Sequence, residues 1–127
     1  MDWFDLSLEM RRSAKILLDE GMWRSSVNRS YYSLYAAATG AILQGGERSF
    51  GGARFNPGHK ELPTLILVEG RLKKDVRRRV QKSLRLLRNA REDADYRPGR
   101  GWFNESQARM YFREATTAIR DLGVKTQ

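Results

Sequence analysis

The stretch RLKKDVRRRVQKSLRLLRNAREDADY, Arg71 to Tyr96, decides the fold. On a wheel of about 100° per residue, Leu72, Val76, Val80, Leu84 and Leu87 gather on one side, the spacing of a long amphipathic helix that must bury one stripe. The same stripe runs on to Arg91, and Asp95 follows one turn later near its edge, able to meet the guanidinium on the same face. A charge on the core side is costly unless it is paired or hydrogen-bonded, and the planar fork of arginine suits a carboxylate or a phosphate. Two readings follow. Either Arg91 is a functional arginine at the mouth of an interhelical cleft, or the helix has outrun the core and leaves an ordinary exposed pair worth less than about 1 kcal/mol.

Working outward, the neighbours are helical too. Trp3, Leu6, Met10, Ala14 and Leu17 recur at three- and four-residue steps, so a first helix runs from Trp3 to about Glu20, with Gly21 as its stop. Trp23, Val27, Tyr31, Leu34, Ala38 and Ile42 repeat the pattern in a second, antiparallel helix from Met22 to about Leu43. QGGERSFGGARFNPGHKELP then breaks helix and makes a long Gly-rich crossover; without GxGxxG or GK[ST], its glycines read as a surface connection rather than a phosphate cradle. A short helix covers Leu62 to Glu69, and Pro98 and Gly99 end the long one after Tyr96. In NESQ, Asn104 caps the last helix while Gln107 reaches back; that helix buries Ala108, Tyr111 or Phe112, Ala115, Ile119 and Leu122 before Gly123. The expected architecture is all-α: one domain over residues 1–127, an up-and-down bundle of four main helices plus a short one.

Composition narrows the function. With 40% hydrophobic and 31% charged residues the chain lies in the globular range, and a length of 127 residues suits one core. The absence of cysteine excludes disulfides, thiolate metal sites and a cysteine nucleophile, and one histidine cannot build a zinc site alone. No metal or cofactor is expected. The longest apolar run, LYAAATGAIL, is about half of the roughly 20 residues a membrane span needs, and MDWFDLSLEM lacks the basic start of a signal peptide, so a cytoplasmic protein without membrane contact is expected. A net charge of +9 favours a polyanionic partner, RNA or a nucleotide ahead of a membrane surface.

Three groups of residues carry candidate chemistry. The flank of the long helix opposite its apolar stripe holds Arg71, Lys74, Arg78, Lys82 and Arg85, with Lys73, Arg77 and Arg79 between; this is a solvated face or a phosphate-backbone contact without sequence readout. On the second helix, NRSYYSLY puts Tyr31 near the centre of the apolar face with Asn28, Tyr32 and Tyr35 along one flank. Aromatics at this spacing usually form core, but an amide among them suggests a hydrogen-bonded cluster that an arginine and an aspartate from another helix would complete. Histidine is the side-chain type whose ordinary pKa lies near neutrality, and His59 is the single one here; in its loop it is a cap residue unless the crossover folds it towards Arg91.

Asn28-x-x-Tyr31-Tyr32, a histidine after a Gly-rich crossover and Arg91-x-x-Ala94-Asp95-Tyr96 together resemble the HEPN superfamily, and within it the small stand-alone prokaryotic proteins, over most of the chain from Gly21 to Ile119. The resemblance implies an all-α homodimer, with the end of the long helix facing its symmetry mate. It also implies a metal-independent ribonuclease acting as a toxin or defence effector, with a minimal nucleotidyltransferase as antitoxin. Carried over residue by residue, Arg91 matches the family's arginine at this helix end, Asp95 and Tyr96 its Asp-Tyr, Asn28, Tyr31 and Tyr32 its second-helix pattern, and His59 its histidine after the crossover. The expected catalytic residues are Arg91, His59 and Asp95, and Asn28, Tyr31, Tyr32, Arg88 and Tyr96, with Lys82 and Arg85 of the basic row, are expected to bind RNA or a nucleotide. One departure stands out: nuclease-active members carry a histidine a few residues after the arginine, and none follows Arg88 or Arg91 here. Cleavage through the 2′-hydroxyl needs a base of near-neutral pKa and a cation for the developing phosphate charge. Arg91 can supply the cation, whereas the base must be His59, a strongly shifted Asp95, or absent. The rival expectations are a non-catalytic module that acts through its nucleotidyltransferase partner and a helical interaction protein without a nucleic-acid role.

Overall fold

The computed structural model describes residues 2–44, 50, 56–96 and 103–126, without the side chain of Tyr96. Most of the crossover lies outside these residues, as do Pro98 and Gly99, expected to end the long helix. Among the described residues the helices are α1 (Trp3–Asp19), α2 (Trp23–Leu43), α3 (Leu62–Leu67), α4 (Lys74–Tyr96) and α5 (Glu105–Asp121). The expected all-α bundle of four main helices and a short one is what forms, with the crossover between α2 and α3.

Local chemistry sets the boundaries. Asp2 and Asp5 close a capping box on α1, and Asn104 and Gln107 close one on α5. Gly21 at φ +76° and Gly123 at φ +89° adopt the left-handed conformation that a side chain disfavours. There the N–H of Met22 reaches Leu17 O at 2.8 Å and that of Val124 reaches Ile119 O at 3.3 Å, which satisfies carbonyls the helix ends would leave bare. The long helix starts at Lys74 rather than Arg71. Arg71 instead donates to Ala41 O and Ile42 O at 3.1 and 2.9 Å, capping the end of α2.

Packing departs from the one-faced pattern expected of the second helix. Helix α2 touches every other helix, and it is buried on all sides from Ser33 to Ile42. Small residues make this feasible. The ring of Phe4 lies where a Cβ on Gly40 would be, 2.9 Å from Cε1, and Ser7 Oγ donates to Ser33 O at 2.6 Å, which explains a buried serine on α1 where the pattern favoured Leu6 and Met10. From α4, Val80, Leu84 and Leu87 are fully buried as their spacing predicts, each stabilising the fold by roughly 1.5–3 kcal/mol.

The tight approach at Gly40 is testable. Gly40→Val should lower stability by about 1–3 kcal/mol through overpacking against Phe4, read as a lower urea midpoint; an unchanged or raised midpoint would mean that Phe4 yields freely.

Candidate functional site

Arg91 has not outrun the core. It is 8% exposed, and its guanidinium lies 5.4 and 5.5 Å from the ring centres of Tyr31 and Tyr32, within cation–π range. Its Nη1 donates to the Tyr32 hydroxyl at 3.2 Å and lies 3.6 Å from Asp95 Oδ2. The same carboxylate oxygen accepts from Asn28 Nδ2 at 2.8 Å. The reading of an ordinary exposed pair is thereby overturned, and the amide among tyrosines has found the arginine and aspartate that complete its cluster.

Helix spacing explains the convergence. Residues 28, 31, 32 and 35 lie along one side of α2, and Arg91 and Asp95 along one side of α4, so two packed helices bring six side chains to one seam. The end of α4 is held by Arg24, whose Nη1 donates to Asp93 O at 3.2 Å and Ala94 O at 2.6 Å, answering carbonyls at the negative end of the helix dipole. Sequence reasoning missed Arg24. Its place one turn before Asn28, on the same side of α2, was the available signal.

The crossover returns onto this cluster. Tyr35 OH donates to Pro57 O at 2.7 Å and accepts from Asn56 Nδ2 at 2.8 Å, while Tyr31 OH and His59 Nδ1 lie 2.6 Å apart. The imidazole packs among the rings of Tyr31, Tyr32 and Tyr35, with centroids at 5.5, 5.8 and 4.7 Å. His59 is thus brought to Arg91, the condition under which it gains chemical interest. A cleft of about 430 Å³ opens beside them, lined by His59, Lys60, Glu61, Arg88, Arg91 and Glu92. Arg88 pairs with Glu92 at 3.1 Å. Two guanidiniums, an ammonium and an imidazole facing two carboxylates give a site that can take an anion and hold a proton acceptor near it.

Other predicted residues stand elsewhere. Lys82 and Arg85 are exposed and do not line this cleft; Lys82 lies about half a turn round α4 from Arg91. The basic row is also shorter than its sequence: Arg71 caps α2, Arg77 donates to Leu67 O at the end of α3 at 3.3 Å, and Arg79 pairs with Asp75 and Asp121 at 3.1 and 3.2 Å. The side chain of Tyr96 lies outside the described ones. Among the described residues no three His, Asp or Glu side chains gather as metal ligands would, and no helix is long and apolar enough to cross a membrane.

Burial pushes the Tyr31 phenol well above its ordinary value, and the charge of Arg91 opposes the rise. For an acid raised on folding, stability is complete below the unfolded pKa, about 10 for tyrosine, and falls as pH climbs beyond it, because only the unfolded chain gives up the proton. Tyr31→Phe should therefore lose less stability than the wild type between about pH 10 and pH 11, measured as urea midpoints. Equal losses would show that Tyr31 is not the buried phenol described.

Neither a curated protein nor a solved structure matches the chain. The family model for the HEPN domain matches residues 1–123, a span that includes α1 to α5 and every residue of the Arg91 cluster. The chain belongs to the HEPN family.

Proposed function

We propose that this HEPN protein binds RNA, or a nucleotide, at the cleft beside Arg91, as the toxin-like member of a toxin–antitoxin or defence pair of the small prokaryotic branch. One cytoplasmic domain acts as a homodimer, with a nucleotidyltransferase as antitoxin. The observation that supports this most is a buried guanidinium held on two tyrosines beside an imidazole, with Arg88 and Lys60 lining the same opening. A phosphodiester matches that set: the guanidiniums meet its oxygens in bidentate fashion, and the net charge of +9 draws the polyanion in.

Any cleavage at this cleft follows the 2′-hydroxyl route and needs no metal. Tyr31 OH and His59 Nδ1 lie 2.6 Å apart; in the tautomer whose Nδ1–H donates to the Tyr31 oxygen, Nε2 is the ring nitrogen with the lone pair that takes the 2′-hydroxyl proton. The 2′-oxygen bonds to phosphorus, Arg91 stabilises the added negative charge, and the bond to the 5′-oxygen breaks as that oxygen takes a proton from water, while the proton held by His59 is returned to solvent. The products are a 2′,3′-cyclic phosphate and a 5′-hydroxyl. Asp95 serves as a positioning residue, because its Oδ2 already answers Asn28 and faces Arg91. A second reading, a binding module without catalysis, is favoured by one observation: no histidine follows Arg88 or Arg91 along the helix.

Incubating RNA with the protein in EDTA separates the two. The enzymatic reading expects cyclic-phosphate ends, with the rate reduced by at least about 100-fold in both Arg91→Ala and His59→Ala. Salt-sensitive binding without cleavage supports the module. Cleavage that Arg91→Ala leaves unchanged, or no RNA binding even at low salt, contradicts the site itself.

A further inference from the structure

A second cleft, of about 660 Å³, is lined by both partners of the Asn28–Asp95 hydrogen bond, together with Arg24, Ser25, Arg29, Leu17 and Ala94. Asp95 links the linings of the two clefts: its Oδ2 accepts from Asn28 in the second at 2.8 Å and lies 3.6 Å from Nη1 of Arg91 in the first. Along α4 the step from Arg91 in the first cleft to Asp95 in the second is four residues, a rise of about 6 Å. The linings of the two clefts therefore adjoin along α4.

The chemistry of the second cleft is that of a polyanion subsite. Ser25, Asn28 and Arg29 share one side of α2, three and four residues apart, and offer a hydroxyl, an amide and a guanidinium. The lining holds two arginines and one carboxylate; Arg24 is engaged by the carbonyls at the end of α4 and Asp95 by Asn28, which leaves Arg29 as the cation for a ligand. Arg29 is exposed and makes no ion pair among the described residues, so its fork is available to a phosphate without a bond having to break. We infer that this cleft holds the nucleotide next to the one whose phosphate meets Arg91, with Arg29 and Ser25 on the neighbouring phosphate. The protein then reads at least two consecutive nucleotides of a single strand. The inference rests on RNA binding at the Arg91 cleft.

Two probes separate this subsite from the reading beneath it: uridine 3′-phosphate, which fills one position, and a 2′-O-methylated tetrauridylate, which spans both and resists 2′-hydroxyl cleavage. Arg91→Ala should weaken both. Arg29→Ala should weaken the tetramer by about 10-fold at low salt and reduce the slope of log affinity against log salt by about 0.7, the contribution of one single-strand phosphate. It should leave uridine 3′-phosphate unchanged, and Arg29→Lys should keep part of the tetramer's affinity. Arg113→Ala, an exposed arginine on α5 outside both clefts, controls for net charge. A tetramer affinity that Arg29→Ala leaves intact, or lowers no more than Arg113→Ala does, overturns the subsite while Arg91 dependence keeps the first cleft. Binding of neither probe, or binding indifferent to Arg91→Ala, overturns both.

Discussion

The burial of one guanidinium organises this molecule. Arg91 occupies a core position on α4, where Tyr31 and Tyr32 of α2 present ring faces and a hydroxyl to it, with Asp95 one turn away. A cation this deep would cost several kcal/mol if its surroundings were lost. The contact therefore constrains which turn of α4 lies against which turn of α2, and it does so at the end of the seam, where the aliphatic stripe of Val80, Leu84 and Leu87 has run out. Hydrophobic burial holds the helices together, and the charged contact sets their register beyond it.

The crossover docks on the tyrosines of the same helix face. Tyr31 meets His59 and Tyr35 meets Asn56 and Pro57, so the returning crossover is docked through phenol hydroxyls rather than through aliphatic packing alone. Tyr31 consequently has two tasks: its ring supports the cation and its hydroxyl orients the imidazole. Such an arrangement couples the Arg91 guanidinium to the His59 imidazole. A substitution at Tyr31 that preserves the ring will still disturb the histidine, and one that removes the ring will disturb both.

Much of this was legible in the sequence because it depends on spacing within one helix. The stripe of α4 leading to Arg91, the amide of Asn28 among tyrosines, the Asn104–Gln107 box and the glycines at 21 and 123 are all local signals. What escaped depends on contacts between distant segments. That α2 is buried on every side is hidden by its Ser, Ala, Thr and Gly residues, whose weak hydropathy leaves burial undecided until neighbouring helices approach. Arg71 and Arg77 read as part of a basic row and Arg24 was not singled out, yet each donates to a backbone carbonyl at the end of a helix that is not its own. His59 stood apart because the path of the crossover, not its composition, decides where the imidazole lands.

The most direct test watches the Arg91 guanidinium itself. In protein labelled with nitrogen-15 at arginine, with the Nε–H signal of Arg91 assigned through Arg91→Lys, an unhydrolysable RNA tetramer is titrated at moderate salt. The account predicts that the Arg91 signal shifts saturably, in step with the binding curve, because the strand's phosphate meets this group. It would be contradicted if Arg91 stayed still while the exposed arginines of α4, Arg78 and Arg85, moved with RNA, for the buried cation would then be a structural feature and the binding surface would lie elsewhere.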